Sequence, residues 1–388
     1  MSVIAGAGLS AHVDPRVAAT EAAALAAIRL AGQPADLALL FVSGSHLSDP
    51  EAVLDAVHGA LAPGALVGCG AGGVLGGGRE LESGAAVAVW AASFDGAGEV
   101  TPFHATIHDD GSEIELHGLP PLEAARGAIL LPDPVSFPTD AVLGGLAEAA
   151  PAVPVLGGVS SARDSDGEAV LFFADEVRAE GAVGVRLDGI EMLPCVSQGA
   201  APVGREVTIT EAEGNVIHEL AGRPALETIE SVISELTPRE RTLIAGGLLV
   251  GIVIDGGKPE YQQGDFLVRG LLGAEPESGR VAVGVEVRAG QVLRLHARDA
   301  RSADEDLRRE LGVRVAALAG RPPAGALVFS CNGRGRGMFG VADHDAELVH
   351  GQLRGAPTAG FFAGGEIGPV GVRSFLHSFT ATVAVFPD

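Results

Sequence analysis

Between Cys331 and Arg336 a thiol, a carboxamide and two guanidinium groups (Cys331, Asn332, Arg334 and Arg336) are spaced by Gly333 and Gly335. Glycines leave backbone amides free to turn toward a ligand. A planar guanidinium pairs with a carboxylate or phosphate through two parallel hydrogen bonds. The segment therefore has the composition of a small-anion receptor, in which Arg334 pairs with a carboxylate and Asn332 fixes its orientation. Glu366 follows a second glycine turn, Gly364-Gly365. It is placed either to brace Arg334 internally or to accept a ligand ammonium, and an Arg and a Glu on facing turns suit a zwitterion. His377, on the return toward the C-terminus, reads as a core histidine or as a further contact. Cys331 supports a rival chemistry: a thiolate lowered by Arg334 and Arg336, with His377 or His344 as base, makes a hydrolase or transferase. A buried structural thiol is the plainer expectation.

Other spacings carry less. Gly68, Gly70 and Gly73 have the G-x-G-x-x-G interval, but a strand and not a helix is expected after them, so a pyrophosphate would meet no helix N-terminus. Gly335, Gly337 and Gly340 precede a helix, with Glu366 where a ribose acceptor would stand, yet the second half of a dinucleotide fold is missing. His104, His108, Asp109, Asp110 and His117 have metal-ligand types, although a solvated strand accounts for them. No serine sits in G-x-S-x-G, so no nucleophile elbow is expected. Arg301, Arg308, Arg309 and Arg314 alternate with Asp304, Glu305, Asp306 and Glu310, as on a solvated helix face.

The glycine turns sit inside a repeat. The apolar run 37–42, a helical pattern with Val53, Leu54, Val57 and Leu61 on one face, and the run 65–69 lead into Gly70-Ala71-Gly72-Gly73 and a return strand at 85–90. Ser48-Asp49-Pro50-Glu51 has capping-box spacing for that helix. A second copy runs from strand 128–131 through a helix starting at Pro138-Thr139 to strand 153–156, then Gly157-Gly158 and a closing strand at 169–173. A third runs from strand 326–331 through an Asp343-capped helix to strand 358–362, then Gly364-Gly365 and a return strand at 375–386. Recurrence of a whole supersecondary unit is a stronger signal than any short motif. Between the second and third copies lie a turn-rich stretch, 198–223, a helix at 225–236, strands at 243–254, 265–271, 281–287 and 292–297, and a helix at 304–318. Hairpins outnumber crossovers, so the expectation is an α+β fold of mixed, largely antiparallel sheets with outer helices. It is built from repeated β-α-β-β units in two domains, 1–222 and 223–388.

Composition narrows the function. The 388 residues carry 26 Lys and Arg against 50 Asp and Glu, a formal charge of −24, which repels phosphate backbones and anionic headgroups and counts against nucleic-acid or membrane-surface binding. Mean hydropathy is +0.31, and the glycines stand beside β-branched runs, as in a folded chain and not a disordered one. Three cysteines, Cys69, Cys195 and Cys331, far apart and odd in number, fit reduced thiols in a cytoplasm better than a disulfide frame. The first residues lack the basic and apolar regions of a secretory signal. The greasiest stretch, 242–254, is broken by Gly246, Gly247 and Gly251 and is shorter than the roughly 20 residues needed to span a bilayer.

The strings Leu327-Val328-Phe329-Ser330-Cys331-Asn332-Gly333-Arg334-Gly335, Gly360 to Pro369 and Leu376-His377-Ser378-Phe379-Thr380 resemble the C-terminal FIST domain. Val67-Gly68-Cys69-Gly70-Ala71-Gly72-Gly73 resembles the N-terminal FIST domain. The resemblance implies a bacterial sensory module that binds small molecules, amino acids among them, and works in signal transduction. It also marks Arg269 as a motif position. No kinase, response-regulator or F-box segment is expected within this sequence, so an output partner would be a separate signalling protein. The reading is thus a cytoplasmic protein binding an amino acid or other small carboxylate, with Asn332, Arg334, Arg336, Glu366, Arg269, Cys331 and His377 as site residues. Neither a cofactor nor a catalytic step is expected; the alternatives are the Cys331 enzyme and a non-catalytic scaffold.

Overall fold

A computed structural model describes residues 3–109, 114–258, 260–261 and 263–388, and the repeat is present in it three times. Copy one runs β1 (Ile4–Ser10), α1 (Pro15–Leu30), β2 (Leu37–Ser43), α2 (Pro50–Leu61), β3 (Ala65–Ala71), a hairpin of β4 (Val74–Gly76) and β5 (Arg79–Leu81), then the return strand β6 (Ala86–Ser93). Copy two runs β7 (Glu99–Asp109), β8 (Ile114–His117), β9 (Gly127–Pro132), α3 (Thr139–Ala149), β10 (Val155–Gly158), the hairpin β11 (Leu171–Phe173) and β12 (Glu176–Arg178), and β13 (Ala182–Asp188). Copy three begins with β14 (Leu193–Gln198). After a long insertion it resumes as β22 (Pro323–Cys331), α7 (Arg336–Phe339), α8 (His344–Gln352), β23 (Thr358–Ala363), the hairpin β24 (Glu366–Val370) and β25 (Arg373–His377), and β26 (Thr380–Pro387).

Each hairpin leaves its own copy. The β11 and β12 hairpin extends the sheet of copy one, with Leu171 opposite Cys69. The β24 and β25 hairpin extends the sheet of copy two, with Glu366 opposite Gly158. The β4 and β5 hairpin extends the sheet of copy three, with Val74 opposite Phe361. The exchange is cyclic, so three sheets are stitched into one body. The expected repeat is thereby corrected. The strand at 169–173 is one arm of a hairpin, and β13 is the return strand; the run 375–386 splits into β25 and β26 at Phe379, whose φ is +65°. Nor does the capping box at Ser48 form. Asp49 caps α2 without a side-chain bond, and Ser48 closes a 3-10 turn.

The two-residue period of a strand explains the layering. On β2, Leu37, Leu39 and Phe41 enter a core shared by all three sheets, while Ala38, Leu40 and Val42 pack under α1 and α2. In the shared core Phe41 meets Phe361 and Phe329 at ring separations of 5.0 and 6.4 Å. Helix α1 lies directly on β1 because that strand is glycine where the helix crosses it. A Cβ on Gly6 would stand 1.9 Å from the carbonyl oxygen of Ala26.

The insertion is a sheet of its own, made of β15 (Ala200–Glu213), β16 (Val216–Leu220), β17 (Arg223–Pro224), β18 (Leu248–Val253), β19 (Phe266–Glu275), β20 (Arg280–Val283) and β21 (Val292–Arg298), with α4 (Ala225–Glu235) and α5 (Pro238–Ile244). Strand β15 pairs with β21 on one side and with β16 on the other, so the sheet closes on itself. The stretch 198–223 is therefore strand and not turn, and residues 243–244 end a helix before β18 begins. Helix α6 (Ala300–Ala317) leads out of the insertion. By contacts the chain forms two compact units. Unit 1 comprises 1–196, 308–376 and 381–388; unit 2 comprises 197–307 and 377–380. The family-scale expectation of domains at 1–222 and 223–388 is a division along the sequence, whereas both compact units are discontinuous.

Candidate functional site

In unit 1 the cyclic exchange brings three strand ends and three turns to one place, where the same backbone bond recurs. Phe362 N–H donates to Gly73 O (3.0 Å), Val159 N–H to Gly365 O (2.8 Å) and Gly70 N–H to Val170 O (2.8 Å). One side chain belongs to all three copies at once: Ser161, from copy two, donates its hydroxyl to the carbonyl of Phe362 and accepts the Gly72 N–H at 2.9 Å. Gly72, Asn332, Arg336 and Gly364 are exposed here, and Ser161 is half-buried. Asn332 Oδ1 lies 3.9 Å from where a Cβ of Gly72 would stand; Arg336 follows four residues later, exposed, with the exposed Glu82 on its backbone N–H.

Beneath lies a buried charge cluster. After β22 the chain is held by Asn332 N–H on Ala363 O, then turns at Gly335 (φ +76°) into the single turn of α7. This sends the Arg334 side chain inward, where it is 2% exposed. Its Nε and Nη2 bind Asp345 Oδ2 and Oδ1 at 2.6 and 2.9 Å. Asp345, in the first turn of α8, also accepts from Ser330 Oγ at 2.8 Å and contacts His344 Nδ1 at 3.0 Å. Burial opposes ionisation of Asp345, but the Arg334 charge and these hydrogen bonds outweigh it and hold the carboxyl below the ordinary carboxylate range. The His344 ring stacks on Phe339 at 3.5 Å, and the Arg334 guanidinium lies 5.1 Å from the same ring. Glu366 is fully buried and, with Cys331, acts electrostatically on Arg334. The Nη1 group of Arg334 is buried and has no hydrogen-bond partner among the described residues.

Copy one supplies two more carboxylates through its exchanged hairpin. Glu82 accepts the Arg336 N–H at 2.9 Å and fills the space beside Gly335, where a Cβ would lie 2.8 Å from it. Glu80 is 7% exposed and accepts the Ala346 N–H of α8 at 3.0 Å. Burial pushes its carboxyl up to about 7, with the Asp345 and Glu82 charges adding to the rise and the backbone N–H groups of Ala346 and Asp345 opposing it.

Five of the seven expected site residues, Cys331, Asn332, Arg334, Arg336 and Glu366, fall in this part of unit 1. The Cys331 thiol is 9% exposed and accepts the Gly333 N–H at 3.4 Å. The other two belong to unit 2: Arg269 on β19, 5% exposed with Nη1 on its neighbour's carbonyl (Val268 O, 3.1 Å), and His377, 1% exposed. Asp345, Ser330, Glu80 and Glu82 were not singled out. The signal for Asp345 was present, since an arginine drawn into an apolar strand end requires a carboxylate, and the following helix offers one. Among the described residues no three His, Cys, Asp or Glu side chains gather as a metal site. Of the histidine and aspartate set at 104–117, Asp110 lies outside the described residues. Within the described residues no helix is long and apolar enough to cross a membrane.

Comparison with known proteins agrees with the sequence strings. The model of the FIST N domain matches residues 36–223, and that of the FIST C domain matches 225–369. An uncharacterized protein of Mycobacterium tuberculosis is 44% identical over 384 residues, covering 99% of each chain. One of Mycobacterium bovis is 43% identical over 384 residues, covering 99% of this chain and 98% of its own.

Proposed function

The chain belongs to the FIST family, whose domains are described as small-ligand-binding sensory modules, and from that premise we propose that it is a cytoplasmic sensor of an amino acid or other small carboxylate. The ligand sits at the glycine rim of unit 1. Arg336 and Asn332 take its carboxylate from the solvent side, and beneath them the carboxylate reaches the Nη1 of Arg334, beside the buried Glu366. The observation that carries the reading is the Nη1 of Arg334, buried and without a hydrogen-bond partner among the described residues, because a donor left unmade in the interior is costly unless something arrives to use it. Cys331 is a packing and electrostatic neighbour in this reading, and no chemical step is assigned to it. Arg269 and His377 serve unit 2. The output is passed to a separate signalling protein, and neither membrane nor nucleic acid is engaged.

The test is a thermal-shift screen of the twenty common amino acids and of small mono- and dicarboxylates. Arg336→Ala and Asn332→Ala remove exposed side chains and leave the buried cluster in place, so both variants fold and both lose the response. Arg334→Ala is the wrong probe, because it strands Asp345. A ligand that stabilises both exposed variants as well as the wild type would put the site elsewhere.

A further inference from the structure

Glu80 joins two copies. Its strand, β5, belongs to copy one but is exchanged into the sheet of copy three, and there its carboxyl meets the N-terminus of α8. Glu80 Oε1 accepts the Ala346 N–H at 3.0 Å, the Glu80 N–H donates to Asp343 Oδ1 at 2.6 Å, and the backbone N–H of Asp345 also acts on the carboxyl. Asp343, the residue before α8, is left-handed (φ +62°) and makes no side-chain cap of its own, so Glu80 supplies from another copy the acceptor that an N-cap residue ordinarily provides. The second oxygen, Oε2, is buried and has no hydrogen-bond partner among the described residues.

The groups around this carboxyl are mostly of its own sign. Helix α8 presents Asp345, already committed to Arg334, Ser330 and His344, together with Asp343 on the Glu80 backbone. Beyond β5 stands Glu82, bound to the Arg336 N–H. From α8, too, the His350 ring lies 3.4 Å from where a Cβ of Gly78 would stand, on the same hairpin. The cation of the cluster, Arg334, gives its two carboxylate bonds to Asp345 and makes none to Glu80. A carboxylic acid fits this position: one oxygen accepts from the helix and the other carries the proton. A carboxylate would leave a full charge on an unpartnered buried oxygen beside two others.

We propose that Glu80 is a proton-operated latch that holds the β4 and β5 hairpin of copy one on the first turn of α8 when protonated and releases it when ionised. The raised carboxyl, near 7, sets the window. A folded-state value above the unfolded one gives a stabilisation that is complete below the ordinary glutamate range and is lost as pH rises through the folded value. The latch is closed at pH 5.5 and open at pH 8.5. Because the first turn of α8 also carries Asp345, opening loosens the element that clamps Arg334. The latch itself does not depend on a ligand being bound there.

The test is amide hydrogen exchange on the whole chain from pH 5.5 to 8.5, corrected for intrinsic exchange, together with the carbon-13 resonance of the Glu80 carboxyl. Protection of Ala346 and Glu80 amides falls at least tenfold across the range in the wild type. Glu80→Gln keeps it constant, and His350→Gln leaves the wild-type profile unchanged. The carboxyl resonance titrates near neutrality. Constant protection in the wild type, an unaltered profile in Glu80→Gln, a profile abolished by His350→Gln, or a carboxyl midpoint in the ordinary glutamate range would each overturn the latch. Since the carboxyl resonance is read on the wild type, the test survives a variant that fails to fold.

Discussion

The hydroxyl of Ser161 donates to the carbonyl of Phe362, joining copy two to copy three, while its oxygen accepts the amide of Gly72 from copy one. A single hydroxyl thus closes the ring that the three exchanged hairpins open. Ser161→Ala deletes the acceptor of one backbone group and the donor to another. The expected loss is about 1–3 kcal/mol, read from chemical denaturation with an unchanged slope. A loss within a few tenths would mean that water replaces the hydroxyl without cost.

Arg334 and Asp345 make an ion pair with both side chains fully buried. Removing one partner leaves the other charged and stranded, so Asp345→Ala is expected to cost about 3–5 kcal/mol. The double change Arg334→Met, Asp345→Leu, which keeps volume and removes both charges, is expected to recover most of it. The acid limb checks the sign. The Asp345 carboxyl is depressed in the fold, so its stabilisation is present above the unfolded aspartate value and is lost as pH falls through the folded one. In the double variant that acid slope disappears; its persistence would assign the slope to another carboxylate.

Unit 2 holds a titratable group of opposite behaviour to Glu80. His296 on β21 is fully buried, with its ring filling the space that Gly251 leaves; a Cβ there would lie 2.3 Å from the imidazole. Burial pulls its value down to about 4 from 6.5. The unfolded chain binds this proton first, so unit 2 loses stability as pH falls from 6.5 toward 4, by at most about 3 kcal/mol. Exchange protection of the β18 and β21 amides is expected to follow that slope. In His296→Gln it should be flat, and a retained slope would remove the assignment.

What was legible in the sequence, and what was not, follows from the range of the interactions involved. The apolar run of β2 and the helix face of Val53, Leu54 and Val57 are local patterns, and each copy showed them. The exchange of hairpins was missed because β4, β5 and β12 have three residues each, too few for a period to register, and because β11 and β25, inside runs that read as strand, pair within hairpins laid on the sheets of other copies. The same distance hid Glu80, whose partner Ala346 is 266 residues away. Arg334 was identified by its chemistry, but its partner was not. Glu366 was the carboxylate that the glycine turns suggested, and both oxygens of Asp345 hold the guanidinium instead.

The long strand β15, read from composition as turns, bears on how the chain divides. Residues 200–213 include three glutamates and only a loose alternation of apolar side chains, because one edge pairs with β21 and the other with β16 through bulged registers. A fragment beginning at residue 223 loses β15 and β16, and with them the strands that flank β21 and β20. A fragment of residues 197–307 keeps every strand of the closed sheet, and the core cluster of that sheet is drawn from Val203 to Ala297. The expected outcome is that 197–307 gives a dispersed amide spectrum and a cooperative melt on its own, whereas 223–388 does not. A cooperative melt for 223–388 with an unfolded 197–307 would favour division along the sequence at residue 222 over the discontinuous units.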